Sequence, residues 1–283
     1  MRHRHRRGLA SLLGLAGLLL AGSALAWQGE LSLGHDSNLN AARQGTAARE
    51  AGFARIRLQQ TLERPLAGGL GLSAQFGAEG QRLPAYPALD HLRSGGLVRL
   101  AWRGGRGLFD PTWSAAAGLA YVEWQDPLRD SWEWRWLLGS RWPLSTRIEA
   151  RLGLTGSYRD ARSAVFDLDA HSATADLEWR LPPATTLYLG YQYREGDLSG
   201  TTASPSATLL AAARALDRDR AYDGRGETAF RLAADAQVLS LGLNQRLNRA
   251  WALDLLAQHV EAEADIGTRY RREQWLASLL FQF

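Results

Sequence analysis

The feature that most restricts this chain is a strict two-residue alternation between residues 131 and 143. Trp132, Trp134, Trp136, Leu138 and Trp142 fall on one parity, and Glu133, Arg135, Leu137, Gly139 and Arg141 on the other. Successive side chains of an extended strand point to opposite faces, so one face is aromatic and the other largely charged. A helix would scatter both sets around its axis. The pattern recurs. Residues 70–79 set Leu70, Leu72, Ala74, Phe76 and Ala78 against Gly71, Ser73, Gln75, Gly77 and Glu79, and residues 148–158 set Ile148, Ala150, Leu152, Leu154 and Tyr158 against Glu149, Arg151, Gly153, Thr155 and Ser157. Twelve such segments are expected, near residues 27–35, 53–62, 70–79, 92–102, 113–124, 132–142, 148–158, 173–180, 187–194, 235–247, 251–261 and 273–283. The eleventh is the least regular, because Leu256 and Val260 fall on its polar parity.

The punctuation between strands is regular too. Pro65, Gly104, Pro143 and Pro182 mark turns at intervals of 39 residues, each interval holding two strand patterns and one variable loop. A period near this length also suits propeller blades or helical repeats. Two strands per interval, without helical periodicity, argue against both. Short turns of two to five residues should therefore alternate with longer loops at residues 36–52, 80–91, 125–131, 159–171, 195–234 and 262–269. Short connections at one end, long ones at the other and an even strand count predict an all-β chain, a 12-stranded antiparallel up-and-down transmembrane β-barrel.

The first 26 residues read as a cleaved signal peptide: Arg2, Arg4, Arg6 and Arg7, an apolar run over 9–20, and the small-x-small site Ala24-Leu25-Ala26. Removing 26 of 283 residues leaves 257, assigned as one barrel domain over 27–283. Losing those four arginines takes the 33 basic residues to 29, equal to the 29 acidic ones, so charge gives no reason to expect a nucleic-acid partner. All the basic residues are arginine, and there is no cysteine, which excludes disulfides, thiol catalysis and a cysteine-linked lipid anchor.

Two patterns place hydrocarbon rather than water outside the barrel. Trp102, Trp142, Trp179 and Phe283 fall near the short-turn ends, while Tyr121, Trp132, Tyr158, Tyr191 and Tyr193 fall towards the loops, as in two interfacial belts. The opposite parity carries mid-strand charge, which belongs inside, since an arginine facing lipid at the midplane costs about 2–4 kcal/mol. The last segment, alternating Glu273, Trp275, Ala277, Leu279, Phe281 and Phe283, ends on an aromatic residue. It resembles the closing strand of bacterial outer-membrane β-barrel proteins. That resemblance implies a Gram-negative cell outer membrane location with both termini periplasmic. It also implies contact with outer-membrane lipid, and Phe281 and Phe283 as the signal read by the barrel insertion machinery.

The candidate site is the lumen. Arg55, Arg57, Arg99, Glu133, Arg135, Glu149, Arg151, Asp176, Glu178, Arg180 and Arg194 share the inward parity, and opposite charges on adjacent strands about 4.8 Å apart can pair. They form either a selective passage for a small or polymeric solute or a set of bracing ion pairs. The loop over 195–234 offers a short helix over Ala207–Leu216 after Ser204-Pro205 and a mixed-charge run from Asp217 to Glu227, and either plugs the mouth or presents a contact surface. Interleaved arginines argue against a calcium loop there. Gly34-His35-Asp36-Ser37-Asn38-Leu39-Asn40-Ala41 resembles the first strand of the C-terminal barrel of surface lipoprotein assembly modifiers, which implies a scaffold with an export-complex partner. Read alone, the same Asx residues are a turn run. Besides His35, histidines at 91, 171 and 259 are the candidate bases for a barrel-wall hydrolase. No nucleophile elbow or metal motif accompanies them, so neither an enzyme nor a cofactor or metal is expected.

Overall fold

The alternating segments become strands because leucine, alanine and aromatic residues on one parity and polar ones on the other suit a two-sided wall. The computed structural model describes residues 26–43, 48–105, 107–222 and 226–282. Thirteen strands form one sheet: β1 (Ala26–Asp36), β2 (Ala51–Pro65), β3 (Leu70–Arg82), β4 (His91–Arg103), β5 (Thr112–Trp124), β6 (Ser131–Pro143), β7 (Ile148–Ala161), β8 (Leu168–Leu181), β9 (Thr185–Thr202), β10 (Ala215–Asp219), β11 (Glu227–Arg246), β12 (Trp251–Ala264) and β13 (Arg269–Gln282). Every pairing is antiparallel. β13 pairs with β1 and β11 with β9, so twelve strands close into a barrel and β10 stands outside the ring. With strands ~4.8 Å apart and tilted ~40°, the backbone ring is about 24 Å across.

Closure leaves no open edge, which hydrocarbon would not tolerate. The outer face at membrane level is a belt of exposed apolar residues, among them Leu33, Ile56, Leu100, Leu154, Leu189, Leu241 and Leu255. Trp27, Trp102, Trp113, Trp142, Trp179 and Trp251 ring its short-turn edge; Tyr121, Trp132, Tyr158, Tyr191 and Tyr193 ring the other. On β5, eight residues separate Trp113 from Tyr121, a rise of about 20 Å once tilt is included. That is close to the apolar band of an outer-membrane barrel.

Four features depart from the sequence expectation. The connection after β4 spans residues 104–111 instead of a two-to-five-residue turn. β9 and β11 run eight residues further than their apolar patterns, consuming much of the expected 195–234 loop and leaving residues 203–226 between them. The reason is an inversion of polarity. Towards the long loops, Leu198, Phe230, Leu232, Ala234, Ala236, Ala262, Ala264 and Tyr270 pack inward as an apolar core. There the outer face carries Glu261 paired with Arg271 at 2.7 Å and Glu263 with Arg269 at 3.1 Å. This part of the barrel is patterned for water outside. Third, the helix after Ser204-Pro205 is shorter than expected: α1 covers Ala207–Ala212, with the Ser206 side chain accepting from Leu209 N. Fourth, β10 takes the edge of β11 that β12 vacates, pairing Ala215 with Arg231 where β12 has ended at Ala264 opposite Ala234. Residues 1–25 of the expected signal peptide 1–26, and Phe283, lie outside the described residues.

Candidate functional site

The register fixes which side chains face inward. Arg57 lies opposite Glu30 and Glu79, Arg135 opposite Gly118 and Ser157, and Asp176 opposite Arg151 and Gly190. All eleven expected lumen residues share this inward parity, but they do not form one uniform network. Glu30 takes Arg55 at 3.2 Å and Arg57 at 3.5 Å, and Arg57 Nε donates to Glu79 at 2.8 Å. Glu133 sits between Arg93 at 3.1 Å and Arg159 at 2.7 Å. Glu149 collects Arg151 at 2.8 Å, Arg180 at 3.2 Å and Arg141 at 3.8 Å, while Arg151 also reaches Glu178 at 2.7 Å. Glu133 thus takes partners from β4 and β7, two residues the sequence reading did not single out, and not from Arg135 on its own strand. Arg194 Nη2 donates to the Asp197 carbonyl at 3.0 Å.

Three groups stay apart. Arg99, Arg135 and Asp176 have no ion-pair partner within 4.0 Å among the described residues, point inward, and are nevertheless exposed. In a barrel filled by its own side chains, residues at this depth would be covered. Water therefore reaches the membrane-level interior. The charge is also lopsided: β2 to β6 bring Arg55, Arg57, Arg93, Arg99, Arg103, Arg135 and Arg141 to the inward parity against Glu63, Glu79 and Glu133. The opposite wall is polar and nearly neutral, where Tyr188 Oη and Asn244 Nδ2 donate to Asp254 at 2.8 and 3.0 Å and Gln258 Nε2 donates to Ser240 at 3.0 Å. At the short-turn end a space of 340 Å³ opens beside Gln28, Glu30, Gln59 and Arg246.

At the long-loop end the insertion packs across the mouth. β4 and β11 lie six places apart in the ring of twelve, hence on opposite sides. The segment after β10 crosses between them. Asp219 is fully buried, held by Arg129 Nη2 and Thr201 Oγ1, both donating at 2.6 Å. Ala221 and Tyr222 then pack on Ala51, Leu83 and Leu89, with Leu39, Tyr86 and Trp124 around them. Tyr222 Oη donates to the Leu39 carbonyl at 2.9 Å, and its ring meets Tyr86 edge-on at 5.2 Å. Burial pushes the Tyr222 phenol up, so it remains a donor through the ordinary pH range. Of the two readings of the 195–234 insertion, its described tip fits the plug. Asp217 accepts from Ser163 Oγ and Asp219 from Arg129, so neither carboxylate is left for a cation.

The Asx run at 36–40 is more than a turn. Arg272 Nε donates to Asp36 at 2.9 Å and Gln274 Nε2 at 2.7 Å. Asn38 Nδ2 reaches the Ala42 and Arg271 carbonyls, both at 2.9 Å, and its oxygen accepts from Ala42 N at 2.7 Å. Asn40 Nδ2 donates to the Thr201 carbonyl at 3.2 Å. These buried side chains clip the first loop to β13 and β9. Their partners lie far away in sequence, so only the density of Asx residues pointed to them.

His91 shares the inward parity of β4, its ring centroid 4.3 Å from that of Trp124, while the other two candidate histidines face outward. His171 lies on the outward parity near Trp136, and His259 Nδ1 meets Glu273 at 2.6 Å on the outer face. No serine or threonine hydroxyl bonds a histidine among the described residues. Phe281 faces outward against Trp251, ring centroids 5.3 Å apart.

No protein-family model matches the sequence, and no curated protein matches it significantly. Among solved structures, an outer-membrane channel from Pseudomonas putida F1 superposes with a TM-score of 0.60 at 11% identity, covering 91% of this chain and 95% of that one. The NanC porin gives 0.46 at 7% identity over 91% and 99%, and the KdgM porin 0.42 at 10% over 90% and 99%, both too low to carry an argument. The chain thus has the fold of an outer-membrane channel, a closed 12-stranded β-barrel.

Proposed function

We propose that this protein is an outer-membrane channel for small polar solutes, with both termini periplasmic and the long-loop mouth facing outward. One observation carries the reading: Arg99, Arg135 and Asp176 point into the barrel, lack an ion-pair partner among the described residues, and are exposed. Space and water at membrane level are what a permeation path requires. The surplus of arginine on the β2–β6 wall favours anions over cations by raising their local concentration. The ion-paired residues Arg55, Arg57, Glu133, Glu149, Arg151, Glu178 and Arg180 stiffen the wall around that path, and Arg194 anchors the base of the extended β9.

The test is refolding into planar lipid bilayers. Discrete conductance steps with anion preference are expected, and Arg135→Glu should shift the reversal potential towards cations. Voltage-independent silence of both the native chain and a cap-weakened variant would refute a channel.

The packed cap favours a second reading, a non-conducting scaffold for export of surface lipoprotein or polysaccharide, with the cap as the partner-facing surface. Silence together with co-purification of an export component would support it. His171 and His259 point outward, and none of the three candidate histidines bonds a hydroxyl among the described residues, so a barrel-wall hydrolase has no such support. Phe281, in this reading, belongs to the insertion signal together with Phe283.

A further inference from the structure

The inner wall is hollowed at one place. In β3, β4 and β5 the inward positions Gly77, Gly95 and Ala120 form one in-register row between Gln59 and Glu133. Backbone crowding dictates the glycines: a Cβ at Gly95 would sit 2.5 Å from the Leu119 carbonyl oxygen, and one at Gly77 2.8 Å from that of Leu58. The strands therefore approach closely and turn the wall, and in doing so remove the side chains that would fill the lumen there. A cleft of 170 Å³ remains, edged by Arg57, Arg93, Arg135, Gln59 and Gln75.

The basic groups around it differ in what they are already doing. Arg57 is held by Glu79 and Glu30, and Arg93 by Glu133. The carboxylates edging the cleft are occupied in the same pairs, Glu133 also by Arg159. Arg135 alone among these guanidinium groups has no carboxylate within 4.0 Å among the described residues; Arg93, Arg57 and Arg99 act on it with the same sign and the doubly paired Glu133 with the opposite one. A guanidinium among like charges at the edge of a water-filled cleft lowers its energy by taking an anion, and its planar fork matches a carboxylate with two parallel hydrogen bonds. The cleft's volume is that of about six waters. Amide groups from Gln59 and Gln75 lie beside it and suit a neighbouring hydroxyl.

We propose that this cleft is a binding site for a small hydroxylated monocarboxylate, with Arg135 as the anchoring residue. Its use as a station for permeating solute rests on the channel reading above; the binding itself does not. The experiment is saturation-transfer NMR on the refolded protein in detergent, with lactate as probe and lactamide as its neutral counterpart. Lactate is expected to bind in the millimolar range and lactamide at least tenfold more weakly. Arg135→Gln should weaken lactate at least tenfold, whereas Arg271→Gln, on the outer face, should leave it within twofold. Equal lactate binding by the native chain and Arg135→Gln, no lactate binding by folded native protein, or equal affinity for lactamide would each overturn the site. Retained native outer-face tryptophan emission certifies the fold of the variants. Bilayer conductance, measured separately, distinguishes the two proposals: lactate binding without conductance removes the channel and keeps the site, and conductance without lactate binding does the reverse.

Discussion

Loosening the cap at Asp219 should open the long-loop mouth. Asp219→Asn keeps the side chain's size and its contact with Thr201, and removes the charge that Arg129 meets at 2.6 Å. Asp219 is completely buried and Arg129 mostly so. Breaking a buried pair from one side costs about 3–5 kcal/mol. Arg129 retains Asp126 at 3.5 Å and the Phe166 ring at 3.9 Å, which argues for the lower end, about 3 kcal/mol. At 1.4 kcal/mol per tenfold, that is about two decades in the ratio of open to closed cap. The native chain has no cysteine, so a single Cys replacing Arg99 or Arg135 reports access to the lumen. An impermeant maleimide added from the long-loop side should label it about 100-fold faster in the Asp219→Asn background. Arg129→Gln should give a similar increase, and the double variant little more, because the two changes break one interaction. If the native cap admits the reagent as fast as the variants do, the mouth is not sealed and the plug assignment is wrong.

The remaining expectations test other parts of the molecule. Leu241→Arg places a charge on the lipid face of β11 and should lower stability by about 2–4 kcal/mol, read from urea titrations of folding into vesicles. Glu261→Gln breaks an exposed, solvent-screened pair with Arg271 beyond the apolar belt and should leave the midpoint of the same titration unchanged. Asn38→Ala strands three backbone groups around the first loop, and a loss of about 3 kcal/mol is expected, with faster proteolysis near residue 43.

The wall was legible because hydrocarbon outside and charge inside leave an unbroken parity signal over nine or more residues, as in β3, β6 and β7. The signal failed where its premise failed. Beyond Ala234 and Ala236, the apolar parity moves to the inner face, so the upper reaches of β9 and β11 read as loop. Leu256 and Val260, the irregular pair in the eleventh segment, were an early sign of that change: both face inward, opposite Gly242 and Val238. The lumen residues were recognisable by parity, but their pairing was not, since whether Glu133 meets Arg135 or Arg93 depends on side-chain reach across a curved wall. Asp219 and Arg129 are 90 residues apart. Nothing in local spacing joins them, and the cap was visible only as an insertion of undecided purpose.

The two-solvent build of β11 also sets which sequence changes evolution can accept there. Its Leu239, Leu241 and Leu243 meet lipid, while its Phe230, Leu232 and Ala234 meet protein. Adding or deleting one amino acid near Asp235 would force one half of the strand to present its wrong side. The ribbon has no slack with which to absorb such a slip. The neighbouring span over 203–214, carrying only a short helix, is where length should drift freely among descendants of this gene.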